Sequence, residues 1–191
     1  MPLFLARSRS NPKPSFVCGP TLQNQSKLQA STSWFCSMPG HVGAMDVVAR
    51  DLRARCGMLV YSVNWYQLPL LDAHGKDLNS LFSDHEHRFG VHAGDVETSV
   101  MLALKPHNVR MDQAQNFKSS SEDRAAKFPI LGNGKSAKLA WQMQDYNTAG
   151  AAGNAAAATA EKGRALLDAA GQSLAKLLIE IGQLPPDTLK P

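Results

Sequence analysis

The residues best suited to chemistry are His92 and Glu97, which lie five positions apart at the start of an apolar run that ends at Leu104. Imidazoles and carboxylates are the side chains that often bind a metal ion or transfer a proton. The apolar spacing from Gly94 predicts a helix, with Asp95 and Glu97 suited to its positive N-terminus. From the residues alone, His92 could equally be a helix-entry histidine bonded to backbone, and Glu97 a carboxylate that only favours the helix dipole.

A second group with metal-binding side chains is Asp84-His85-Glu86-His87, which we call the 84–87 cluster. It falls in residues 69–90, which we predict to be a long loop with a weak helical stretch at 76–82. Nothing in the sequence fixes these side chains on a rigid element. We therefore predict solvated polar residues in a mobile loop and no metal site there.

The elements that must position these residues are predicted from apolar spacing. Residues 42–55 have the spacing of an amphipathic helix, and Gly57 is a stop signal. Residues 58–63 are a short apolar run typical of a buried strand, and 155–182 predict a final helix. A helix followed by a buried strand predicts an α/β fold with a mostly parallel sheet. Ligands bind beyond the carboxyl ends of such strands, which places Trp65 at the edge of the site.

The charge distribution argues against a nucleic-acid partner, although the chain is basic overall, with a net charge of +4 and a pI near 9.1. Residues 1–39 carry four basic residues and no acidic one, whereas residues 40–191 hold sixteen of each. Cys56 is the one cysteine after residue 39, which favours a cytoplasmic location without disulfides. No apolar run is long enough to span a membrane, so we predict no membrane partner.

Residues 1–39 are predicted to be an aberrant segment that does not pack into the domain. They lack periodicity and are rich in Ser, Gln, Pro and Asn, which is typical of a disordered tail. The interpretation we favour is translation in the wrong frame, because three codon junctions within Trp34–Pro39 re-read without choice as Val, Leu and Ala. The chain then divides into this segment, a domain over 40–184 and a tail over 185–191.

His92 to Leu104 reads H-A-G-D-V-E-T-S-V-M-L-A-L and resembles the H-[AG]-G-x-x-E-T-S-x-M-L-A-L signature of the creatininase family of metal-dependent amidohydrolases. The segments 140–142 (A-W-Q) and 158–163 (A-T-A-E-K-G) agree with that family, so the resemblance extends over residues 40–184. It implies an α/β three-layer sandwich, in which helices flank a mostly parallel sheet. We expect that fold to be incomplete in this chain.

The resemblance also implies a reaction and the residues that perform it. Hydrolysis of a cyclic amide or related C–N bond needs an activated water, a polarised carbonyl and a proton donor, for which the family uses zinc or manganese. By the match, Glu97 is a metal ligand and His92 orients the substrate or transfers a proton. Trp65 matches a tryptophan that packs over the substrate. His41 lies beside the metal ligands without binding metal itself.

Departures from the family pattern predict that this chain is truncated, frameshifted and inactive as it stands. Met38-Pro39-Gly40 replaces the His-Gly-Gly triplet that carries a metal-binding histidine, and the early Glu, His and Asp ligands have no counterpart. One carboxylate cannot hold two metal ions, so we expect the chain to lack its cofactor. Phe89-Gly90-Val91 replaces a Trp-Asp stretch of true creatininases, which predicts a substrate other than creatinine.

Two alternatives remain open. The chain could be a non-catalytic fragment whose helices only mediate association, since family members assemble as oligomers; if it folds, we expect a homo-oligomer. It could also be an unrelated binding protein with a basic tail, although the neutral charge balance after residue 39 disfavours this.

Overall fold

The computed structural model of the protein describes residues 2–7, 42–185 and 187–190. These residues form two compact units, of which the first comprises the described residues up to Leu68 together with those from Ser173 onward. The second unit is formed by Pro69–Gln172.

Helix α1, in the first unit, spans Val42–Cys56 and confirms the helix predicted for residues 42–55. Gly57 follows the helix directly; its φ of +62° lies in the left-handed region that favours glycine, and its N–H donates to Arg53 O in the last helical turn at 3.2 Å. Met45 is buried, as its place on the apolar face predicts. Val48, predicted on the same face, is 49% exposed.

The strands of the first unit are β1 (Pro2–Arg7) and β2 (Leu59–Asn64), which pair antiparallel along their whole length. β1 belongs to the segment 1–39; the rest of that segment, residues 8–39, lies outside the described residues, so the prediction for it stays a prediction. β2 confirms the predicted strand, but the strand is only partly buried. Val63 is buried, whereas Tyr61 is 38% exposed.

The predicted parallel sheet is not found among the described residues, where both sheets have two strands and are antiparallel. An apolar run shows that a segment is suited to a strand, but pairing direction depends on which distant segment supplies the partner. Alternate side chains of a strand face opposite sides of a sheet, but burial in β2 does not follow this alternation, since Tyr61 and Val63 lie on the same side and differ in exposure.

The second unit is mainly helical and is built around a small apolar core. Its helices and strands are α2 (Asp84–Phe89), α3 (Asp95–Leu104), β3 (Asn116–Phe117), α4 (Ser120–Lys127), β4 (Gly153–Asn154) and the first part of α5 (Ala160–Gln183). β3 and β4 pair antiparallel. The side chains buried here include Leu70, Leu78, Phe82, Val96 and Leu166. α3 confirms the helix predicted after Gly94.

The last helix begins later than predicted. We expected a helix from residue 155, but Ala155–Ala157 form a short 3-10 turn and α5 starts at Ala160. Thr159 sets this start, because its Oγ1 accepts a hydrogen bond of 3.3 Å from Lys162 N. Alanine favours a helix wherever one forms but carries no start signal. No helix in the described part of the chain is both long and apolar enough to cross a membrane.

Candidate functional site

The structure brings the two predicted site residues together at the start of α3. His92 Nδ1 lies 3.0 Å from Glu97 Oε2, and the two side chains are 41% and 38% exposed. The same oxygen accepts a hydrogen bond of 2.7 Å from Ala93 N, just before the helix. Glu97 therefore satisfies a backbone N–H at the helix N-terminus and also contacts the imidazole. We call these two side chains the His92–Glu97 pair.

The loop that carries the pair is held in a strained conformation. Ala93 has a φ of +53°, the only positive φ of a non-glycine residue in the described ranges. The left-handed region costs such a residue about 1–2 kcal/mol. Neighbouring hydrogen bonds hold it there: Val91 N and His92 N donate to Ala152 O at 2.8 and 3.2 Å, and Ala152 N donates to His92 O at 2.9 Å. Strain maintained in this way is typical of functional sites.

Glu86 is a further residue of the site, and its role there does not follow from the sequence pattern. The predicted mobile loop is wrong for the 84–87 cluster, which lies in helix α2; Ser83 Oγ caps that helix by accepting from Glu86 N at 3.1 Å. Glu86 is only 6% exposed. Its Oε1 accepts from Asp95 N at 2.7 Å and its Oε2 from Asn154 N at 2.8 Å. The Ser-x-x-Glu spacing, a known helix-start signal, could have revealed the helix but not the burial.

The two histidines of the 84–87 cluster have different partners. His85 Nε2 lies 3.3 Å from Glu122 Oε2, and His87 Nε2 lies 2.8 Å from Asn79 O. The helix gives these side chains a rigid support, but it does not direct them to one point.

A largely buried polar network fixes the helix that carries the pair. Asp95 accepts from Lys162 Nζ at 2.7 Å, and these side chains are only 6% and 23% exposed. Lys162 Nζ also donates to Ala157 O at 3.0 Å. Ser99 Oγ donates to Asp95 Oδ1 and accepts from Thr159 N, both at 3.1 Å. The N-terminal half of α3 is thereby joined to the start of α5.

The described residues do not fit the zinc or manganese that the family resemblance implies. No group of three or more His, Cys, Asp or Glu side chains in the described ranges could hold a metal ion. His92 and Glu97 supply two donor groups, and Glu97 Oε2 already accepts from Ala93 N. Zinc sites use at least three protein ligands, so this pair alone is insufficient.

The other two predicted site residues are Trp65 and His41. Trp65 begins a 3-10 turn after Asn64, and its ring meets the Tyr66 ring edge to face, with centroids 5.5 Å apart. It belongs to the first unit, whereas His92 belongs to the second. The role of Trp65 in substrate binding stays a prediction. His41 lies outside the described residues, so its role also stays a prediction.

Comparisons with known proteins agree on one family. A family model described as "Creatininase: Creatinine amidohydrolase" matches residues 35–178. A crystal structure from Bacteroides fragilis NCTC 9343, named "Putative creatinine amidohydrolase", is similar with a TM-score of 0.56 and 26% identity. The match covers 74% of this chain and 51% of that one, so this chain spans about half the length of that protein. No curated protein matches.

Proposed function

Because this chain belongs to the creatininase family, we propose that the His92–Glu97 pair is the proton-transfer part of an amidohydrolase site for a cyclic amide or a related C–N bond. The observation that carries this proposal is the 3.0 Å contact between His92 Nδ1 and Glu97 Oε2. Both residues lie within the matched range 35–178.

The geometry supports proton transfer by the far side of the imidazole. A carboxylate beside Nδ1 orients the ring and favours the tautomer that carries its proton on Nδ1. Nε2 is then the atom that takes a proton from the attacking water and returns it to the leaving nitrogen as the C–N bond breaks. The half-exposed position of both side chains suits a small-molecule substrate that arrives from solvent.

We also propose that the chain as it stands does not hold the divalent metal of the intact family and is inactive. By resemblance, Glu97 is the residue that would bind the metal, and the described residues place no complete ligand set beside it. We propose in addition, from the family resemblance, that Trp65 packs over the substrate and that His41 lies beside the metal ligands in the intact family site. For the intact family fold we propose a three-layer sandwich with a mostly parallel sheet, in a cytoplasmic protein.

Metal analysis and a hydrolysis assay test this proposal together. The purified full chain is dialysed with zinc or manganese, freed of unbound metal, and analysed for metal per chain. It is then incubated with a panel of cyclic amides that includes creatinine. We expect far less than one metal ion per chain and no hydrolysis. Stoichiometric metal with turnover of any substrate would overturn the proposed inactivity.

A second candidate function, association with further copies of this chain, is favoured by an exposed apolar stretch on the second unit. Phe128, Ile130 and Leu131 are 51%, 74% and 53% exposed. Soluble monomers rarely leave large contiguous apolar patches uncovered. Sedimentation should show self-association that Ile130→Asp weakens, whereas a wild-type chain that is monomeric at all concentrations would exclude this candidate.

A further inference from the structure

We propose that Glu86 is a positioning residue that sets the geometry of the His92–Glu97 pair. Its carboxylate is buried and each oxygen accepts one backbone hydrogen bond, from Asp95 N at 2.7 Å and from Asn154 N at 2.8 Å. Asn154 lies 68 positions from Glu86 in the sequence, so one side chain joins two distant segments.

The two anchored segments are the ones that hold His92. Asp95 follows His92 by three positions and begins α3, the helix that carries Glu97. Asn154 follows Ala152 by two positions, and Ala152 exchanges backbone hydrogen bonds with His92. Glu86 thus fixes the strained loop between His92 and Asp95 in two ways. It binds Asp95 N at the end of the loop, and it binds Asn154 N in the segment whose Ala152 pairs with His92. Movement of either segment would change the distance between the imidazole and the carboxylate of the pair.

Three glycines leave room for this carboxylate. A Cβ placed on Gly94 would lie 2.0 Å from Glu86 Oε1, and a Cβ on Gly153 would lie 2.8 Å from the same atom. A Cβ on Gly90 would lie 2.8 Å from Oε1 and 2.6 Å from the Glu86 backbone oxygen. A Cβ at any of these three positions would therefore displace the Glu86 carboxylate or the backbone beside it.

A carboxylate is required for this role because both backbone donors need an acceptor. Glutamine in the same place offers one acceptor oxygen and would direct its NH2 group toward the other backbone N–H. One buried N–H group would then have no acceptor, and it would lose its hydrogen bond to water without gaining one in the protein. We expect the loop of residues 92–94 to lose its single conformation in such a variant.

This proposal rests on the proposed function, because positioning the pair matters only if the pair transfers protons. The positioning itself is tested by measurements that need no enzymatic activity. The His92 ring nitrogens are observed by 15N NMR in the full-length wild-type chain, in Glu86→Gln and in Glu86→Asp. Ser119→Ala is the matched control, because it removes a helix cap elsewhere in the same unit. In the wild type we expect the Nδ1–H tautomer to predominate. In Glu86→Gln we expect a mixture of tautomers, in Glu86→Asp a smaller change, and in Ser119→Ala no change.

Amide hydrogen exchange supplies an independent measurement. In the wild type, Asp95 N and Asn154 N should exchange slowly, and Glu86→Gln should accelerate at least one of them about tenfold or more through the lost charge-assisted hydrogen bond. If Glu86→Gln does not fold, Glu86→Asp and the wild-type exchange rates decide the question. Fast wild-type exchange at both amides would overturn the proposal.

The outcomes separate this proposal from the proposed function. Suppose that the wild-type ring is in the Nδ1–H form, and that a folded Glu86 variant keeps this form although its Asp95 and Asn154 amides exchange faster. Glu86 then does not position the pair, whereas the proton-transfer proposal stands. If the wild-type ring shows no preference for that tautomer, the pair itself is refuted, and the proposed function fails with it.

Discussion

Replacing Gly163 by alanine tests whether the close approach of α3 and α5 is real. Gly163 is buried in the first turns of α5, and a Cβ there would lie 1.9 Å from Ser99 O and 2.4 Å from Ser99 C. Both neighbours are backbone atoms of α3, so no side chain can rotate away. The two backbones would have to separate by about 1 Å before the contact became acceptable.

The magnitude follows from two opposing effects. Glycine to alanine inside a helix gains about 1 kcal/mol in helix propensity. Overpacking a closely packed site costs about 1–3 kcal/mol, and more where the backbone must move. Any shift of α3 also lengthens the buried Asp95–Lys162 contact of 2.7 Å. Because both clashing atoms belong to the backbone, the upper end of that range, about 3 kcal/mol, applies. After the gain in helix propensity, we expect Gly163→Ala to lower the free energy of unfolding by about 2 kcal/mol.

Gly171 provides the matched control in the same helix. A Cβ at Gly171 meets no atom within 4 Å, so Gly171→Ala should raise the free energy of unfolding by about 0.5–1 kcal/mol. Urea denaturation of the full chain, followed by circular dichroism, compares the two variants with the wild type. If Gly163→Ala were as stable as Gly171→Ala, the packing of α3 on α5 described here would be refuted.

Three further predictions concern other contacts of the second unit. Lys162→Met leaves the carboxylate of Asp95 buried without its cation and should destabilise the chain by about 3 kcal/mol in urea unfolding, with Lys162→Arg less affected; equal stability of all three chains would contradict this. Ser119→Ala removes the side-chain cap of α4 and should lower the free energy of unfolding by about 1 kcal/mol in the same urea experiment; an unchanged midpoint would contradict this. Backbone hydrogen bonds from Lys76 and a second N–H of its turn hold the pKa of Asp72 below its ordinary value. This stabilising contribution is complete above the unfolded-state pKa of about 4 and is lost as the pH falls through the lower folded-state pKa, so Asp72→Asn should make the acid limb of a stability-versus-pH curve shallower.

Local patterns were sufficient to predict several elements. The helical spacing of α1 and α3, the stop at Gly57 and the short strand β2 all follow from residues within a few positions of one another. The start of α5 was predicted five residues early, because a run of alanines has no boundary until a capping residue such as Thr159 supplies one. The loop predicted for the 84–87 cluster is wrong because Ser83 and Glu86 have the spacing of a helix start and begin α2 there.

The partners of the site residues were beyond the reach of local spacing. Glu86 contacts Asn154 across 68 positions, and Asp95 contacts Lys162 across 67. A spacing of three or four residues does not indicate which distant backbone N–H or ammonium group a carboxylate will contact. The direction of strand pairing has the same dependence, which is why an apolar run suited to a parallel sheet forms an antiparallel pair in the described residues.

The sequence by itself determined that His92 and Glu97 stand at the entry of a helix and share the pattern of one family of amidohydrolases, because helix spacing and motif are properties of neighbouring residues. Only the tertiary structure decided that the two side chains meet at 3.0 Å and that buried Glu86 holds the segments around them. Burial and long-range hydrogen bonds arise when distant segments pack together, so they become visible only once the chain is folded.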